Sequence, residues 1–174
     1  LKSKVSKALK VKRKKIKTEN AANAAKTINQ TASTMSTTPI WSDDFSSAAT
    51  WTITAGAGTS SNWTIGTTGG VGTYSLLPFA STTAANGFAT FDSDFLCDGT
   101  NGQIGNMTNV TPINLTGHAQ VTLKFQQYYK RDADSTRIYI STNGTTWTNF
   151  PVNEQYPFDG LSSNPETVNV NIST

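Results

Sequence analysis

The sequence is poor in the residues that most enzyme chemistry requires. Its 174 residues contain one cysteine, Cys97, and one histidine, His118. A lone cysteine excludes an intrachain disulfide, and one Cys with one His cannot supply the four ligands of a structural zinc site. Serine and cysteine hydrolases need an imidazole beside the nucleophile, yet His118 sits in "LTGHAQV", which reads as a surface turn entering a strand. No run approaches the roughly 20 apolar residues of a membrane-spanning helix. The glycine-rich loops "GTTGGVG" and "CDGTNGQIGN" lack the Gly-Lys-Ser/Thr ending and the strand-to-helix setting of a phosphate loop.

Charge is also scarce, at 14% of residues, and unevenly placed. Through Pro39 there are ten basic residues and one acid, Glu19; thereafter there are four basic and ten acidic residues. A basic segment, 1–38, thus precedes an acidic domain, 39–174. The segment is expected to be a basic helix through about Ile28 followed by a flexible linker, or a disordered leader. It could contact an anionic surface or a partner protein. Nucleic acid is not an expected partner, because the domain offers no basic aromatic face on which bases could stack. The positive run is not followed by the apolar stretch of a signal peptide, and the chain does not begin with Met. Either a signal was removed upstream or the chain is a fragment.

What is abundant is Thr, Ser, Asn and Gly, with 10% aromatics, a composition that favours an all-β fold with many turns. "QVTLKFQQYY" sets Val121, Leu123 and Phe125 on one face, the period-two pattern of a half-buried strand. "TRIYISTNGTTWTNF" continues with Ile138 and Ile140, a tight hairpin turn at Asn143-Gly144, and Trp147 opening the return strand. "ETVNVNIS" alternates through Val168, Val170 and Ile172. "WTITA", "NWTIGTT" and "GFATF" are shorter strand candidates, with Phe88 and Phe91 turned toward a core. Trp63 and Trp147 are expected to pack inward, and Asp132 and Asp134 to cap a hairpin loop.

In order, Asp44-Phe45, Trp51, the stretch Thr111-Pro112-Ile113-Asn114-Leu115, the strand Val121 to Tyr129 and the hairpin Ile138 to Trp147 resemble the jelly-roll modules related to MAM domains in secreted surface proteins of Bacteroidetes. The resemblance covers about Trp41 to Thr174. It implies a jelly-roll β-sandwich without catalytic activity, secreted or at the cell surface, in an adhesin or beside a catalytic domain, and often exported by the type IX system. The C-terminal sorting domain of that route is not visible. Such modules usually continue with further strands and an acidic "DD" segment, so Thr174 would cut through the module and leave an unpaired edge.

The stretch "FATFDSDFLCDG" holds the candidate chemistry. Calcium wants six to eight oxygens, and Asp43, Asp44, Asp92 and Asp94 come from two segments that related jelly rolls bring together, with Asp98 as an extra ligand. The spacing is not that of an EF-hand, and solvated strand-end acids are the plain alternative. Asp92 and Asp94, at i and i+2, could also sit at the separation of a glycosidase pair, but no pocket that would raise a carboxyl pKa is evident. Cys97 reads as a buried, inert thiol. Tyr128 and Tyr139 lie opposite the apolar faces of their strands and are the candidates for an exposed ligand-binding surface. The function so implied is a surface interaction or structural module binding other protein domains or cell-surface components, with calcium as its stabilising ion. The second reading is a carbohydrate-binding accessory module of a secreted hydrolase.

Overall fold

The computed structural model describes residues 38–56, 63–95 and 103–173. The chain divides into two units, Leu1–Pro39 and Ile40–Thr174. The helix expected through Ile28, Cys97 and Asp98 lie outside the described residues. The second unit is all-β: among its described residues the regular elements are one 3-10 turn, Ala48–Thr50, and eight strands. They are β1 (Trp51–Ala55), β2 (Thr64–Gly66), β3 (Phe88–Thr90), β4 (Gly105–Asn109), β5 (Thr122–Gln127), β6 (Thr136–Ile140), β7 (Thr148–Val152) and β8 (Glu166–Asn171).

The ladders are all antiparallel and nested. β1 pairs with β4 around the β2–β3 pair, and β5 pairs with β8 around the β6–β7 pair. Alternation explains which faces pack. Leu123 and Phe125 stand opposite Val170 and Val168 on one side of the β5–β8 ladder, while Ile138 stands opposite Phe150 on β6–β7. β-Branched and aromatic residues at every second position fit a pleated surface covered on one side. Even so, among the described residues no apolar side chain is fully buried. The apolar contacts are local ring pairs: Trp51 lies between Trp41, edge-on at 6.1 Å, and Phe45, stacked at 5.6 Å. Trp63 packs on Phe91 at 5.3 Å and Phe79 meets Phe88 edge-on at 5.6 Å. Such pairs add about 0.5–1.5 kcal/mol each beyond the area they cover.

The two nested groups are joined by side chains. The Asn164 amide behaves like a strand neighbour, accepting from Ala80 N (2.9 Å) and donating to the Pro78 carbonyl (2.8 Å). Gln126 Oε1 accepts from Thr82 N at 2.8 Å, and the Lys130 ammonium stands 5.9 Å from the centre of the Tyr74 ring.

Several expectations are corrected. Gly105 and Asn106, expected at the end of a polar loop, open the strand "GNMTN", β4. Its residues have little strand propensity, but the indole of Trp63 donates to the Gly105 carbonyl at 3.0 Å. A methyl on Gly105 would lie 2.5 Å from the Phe91 ring, so only glycine lets the two rings close over this strand. Asn143-Gly144 is not a two-residue turn: residues 141–147 all separate β6 from β7. Asn143 Oδ1 accepts from Thr145 N (2.9 Å) and Thr146 N (2.8 Å), folding the backbone onto its own side chain and opening the loop, with Gly144 at φ 72°. Trp147 precedes β7 and is 43% exposed instead of packing inward. Asp132 and Asp134 do not cap a hairpin, because β5 and β6 are not partners; they lie in the connection between two ladders.

Candidate functional site

The four aspartates are placed by the turns they hold. Asp43 Oδ1 accepts from Phe45 N at 2.6 Å and Oδ2 accepts from the Thr50 hydroxyl at 2.9 Å. That bond supports Phe45 at φ 59°, a backbone region costly for a bulky side chain. Asp44 accepts from Ser46 N (3.1 Å) and from the Asn86 amide (2.7 Å). Hydrogen bonds from Ser46 and then Asn86 hold its carboxyl below the ordinary 3.8.

Asp92 and Asp94 take up the backbone of the glycine-rich loop. Asp92 Oδ2 accepts from Val71 N at 2.6 Å and Gly72 N at 3.1 Å, and Asp94 Oδ2 accepts from Tyr74 N at 2.7 Å. Consecutive N–H groups converging on one anion form a nest, the geometry that cradles phosphate elsewhere. Here the anion is the protein's own carboxylate. Glycine is needed for the approach: a methyl on Gly72 would fall 2.2 Å from Asp94 Oδ2, and one on Gly70 would fall 3.0 Å from Asp92 Oδ2.

These contacts bear on the calcium expectation. Among the described residues no three His, Cys, Asp or Glu side chains form a group able to hold a metal ion. Asp43 and Asp44 are not gathered with Asp92 and Asp94 into such a set. The four carboxylates are acceptors for N–H and O–H donors of the protein itself. His118 is exposed; its N–H donates to the Leu115 carbonyl at 3.1 Å across a turn with Gly117 at φ 84°.

Among the described residues the best-covered side chains are polar. Asn153 and Ser162 are each 6% exposed. Asn153 follows β7 at φ 68°, and its amide meets that of Gln127 reciprocally. Gln127 Nε2 donates to Asn153 Oδ1 at 2.6 Å and Asn153 Nδ2 donates back at 3.2 Å and on to Thr136 Oγ1 at 2.9 Å. Gln127 also donates to Glu166, which accepts from the Tyr156 hydroxyl at 2.6 Å. The chain of bonds thus joins the ends of β5, β6, β7 and β8 beside a cleft of about 370 Å³ between β7 and β8. The same end is closed by the Tyr129–Tyr156 ring pair at 5.9 Å, by Tyr129 donating to Asp134 at 2.9 Å, and by Ser162 exchanging bonds with Tyr129. No sequence signal marks this latch. "PVNEQY" reads as an ordinary loop, and only the fold brings Gln127 and Glu166 to it.

The latch titrates at alkaline pH. Its bond to Glu166 raises the Tyr156 phenol above the ordinary 10.0, while burial and then Asp134 raise Tyr129. Both donate as neutral phenols. The stability they add is therefore full below pH 10.0 and drains as pH rises through the higher folded-state values. Tyr156→Phe is expected to cost about 1 kcal/mol at neutral pH. It should also flatten the loss of stability above pH 10, as read from denaturant midpoints; an unchanged alkaline limb would contradict the latch.

The outward side of β6–β7 sets exposed aromatic side chains beside polar donors. Tyr139, 49% exposed, stands opposite Asn149, and Arg137 stands opposite Pro151. Arg137 Nη1 donates to Asn149 Oδ1 at 2.8 Å, fixing guanidinium and amide beside the tyrosine. Trp147, 43% exposed, lies two residues before Asn149. Sequence reasoning missed Trp147 as a surface group because it took the return strand to begin there. Tyr128, the other residue expected on this surface, lies past the end of β5 and is half-buried, off the strand pair that carries Tyr139. No helix among the described residues is long and apolar enough to cross a membrane. No protein-family model, curated protein or solved structure matches the chain.

Proposed function

We propose that residues 39–174 form a non-catalytic interaction module of a secreted, adhesin-like surface protein, and that it meets its partner through the outward side of β6–β7. The observation that carries this is how side chains are used. The acids that could have done chemistry are engaged as acceptors for backbone and side-chain donors, whereas Tyr139 and Trp147 are left open to solvent. Exposed aromatic rings next to an ordered amide–guanidinium pair are the composition of a recognition surface. Among the described residues, eight antiparallel strands in two nested groups support a jelly-roll architecture, which is built of eight strands in two Greek keys. Calcium forms no part of the proposal.

The full chain is expected to bind saturably to isolated cell-envelope or extracellular-matrix material without altering it. Tyr139→Ala combined with Trp147→Ala should abolish that binding while far-UV circular dichroism stays as in the parent. Equal binding by the double variant would remove this face from the proposal.

A further inference from the structure

We infer that the occupant of the β6–β7 face is a neutral glycan, an inference that rests on the interaction-module reading above. A pyranose ring carries C–H groups on its faces and hydroxyls around its rim. A binder must therefore offer an aromatic surface with polar groups at its border, and the strand register supplies both. Tyr139 and Asn149 are a directly opposed pair, and Trp147 lies in the loop that leads into β7, two residues before Asn149 and just outside the ladder. Arg137 and Asn149 are already held by their mutual bond, so little side-chain freedom remains to be lost when hydroxyls accept from the guanidinium or exchange bonds with the amide.

Two observations choose among partners. The flanking loop residues Thr142, Asn143, Thr145 and Thr146 are all exposed and uncharged, a border of hydroxyls and amides that can exchange hydrogen bonds with sugar hydroxyls. The domain carries ten acids against four bases, a field that repels polyanions, so acidic polysaccharides and nucleic acids are disfavoured.

The test is affinity electrophoresis of the full chain in gels containing neutral polysaccharides, with acidic polysaccharides and immobilised proteins in parallel. Retardation by a neutral polysaccharide is expected, unaffected by added salt. Tyr139→Ala and Trp147→Ala should each weaken it about tenfold, whereas Tyr139→Phe, which keeps the ring, should retain it. Binding only to proteins, lost in the same variants, would overturn the glycan and leave the interaction face standing. Retardation confined to acidic polysaccharides would also overturn it. Binding that survives both alanine variants would overturn the face itself.

Discussion

Gly87→Ala is expected to be among the most damaging single substitutions in the domain, costing roughly 3 kcal/mol or more and lowering the melting temperature by about 10 °C. Gly87 lies just before β3 at φ 152°, a conformation that side chains rarely adopt, and it is fully buried. A methyl there would sit 2.2 Å from the carbonyl oxygen of Phe45. The obstacle is backbone, not the tip of a side chain that could swing away. Phe45 is itself fixed at positive φ by Asp43 and stacked on Trp51, so relief would mean unpicking the turn and its ring cluster together. Gly69→Ala is the control: nothing lies within 4 Å of a methyl at Gly69, and that variant should be neutral or slightly stabilising. Thermal melts of the two proteins read the difference directly, and similar melting points would show that the Phe45 turn yields easily.

The second large effect is expected at Asp92. Asp92→Ala leaves Val71 N and Gly72 N without their acceptor and also removes the bond from Phe95 N at 3.3 Å. Charge-assisted bonds of this kind contribute about 1.5–3 kcal/mol, so a loss of about 2 kcal/mol is anticipated. Amide hydrogen exchange should quicken at Val71 and Gly72. Asp92→Asn keeps a carbonyl oxygen that can replace Oδ2 as acceptor for both N–H groups but loses the charge and the acceptor for Phe95 N, and it should fall between the alanine variant and the parent. Metal removal separates this role from cation binding. Chelation should leave the melting point of the parent unchanged, whereas a drop on chelation that Asp92→Ala abolishes would restore the ion as the reason for the carboxylate.

How much of this was legible in sequence depended on whether neighbours or distant residues set the structure. The alternation in "VTLKF", "TRIYI" and "ETVNV" reports a strand face from within the segment, and β5, β6 and β8 lie where it places them. "GNMTN" carries no such signal, since what makes it a strand is the β1 backbone beside it and two aromatic rings above Gly105. The acidic stretch showed that Asp92 and Asp94 matter without showing to what, because their partners lie about 20 residues upstream in a loop that composition marks only as glycine-rich. Asn153 was invisible for the same reason. A lone asparagine after a strand suggests a turn, and its near-complete burial follows from Gln127 arriving from another ladder.

The nesting of the ladders also bears on how the chain can find its fold. Bringing Gln127 to Glu166 directly means closing a loop of 38 intervening residues. Once Thr136 and Val152 are joined, the freely moving chain shrinks to the two connections 128–135 and 153–165. Closure cost grows only as the logarithm of length, so this near-halving saves about 0.5 kcal/mol. The larger gain is in search, because the inner pair carries the outer strands toward each other in the correct antiparallel sense. Each group of four strands is therefore expected to form from its inner pair outward.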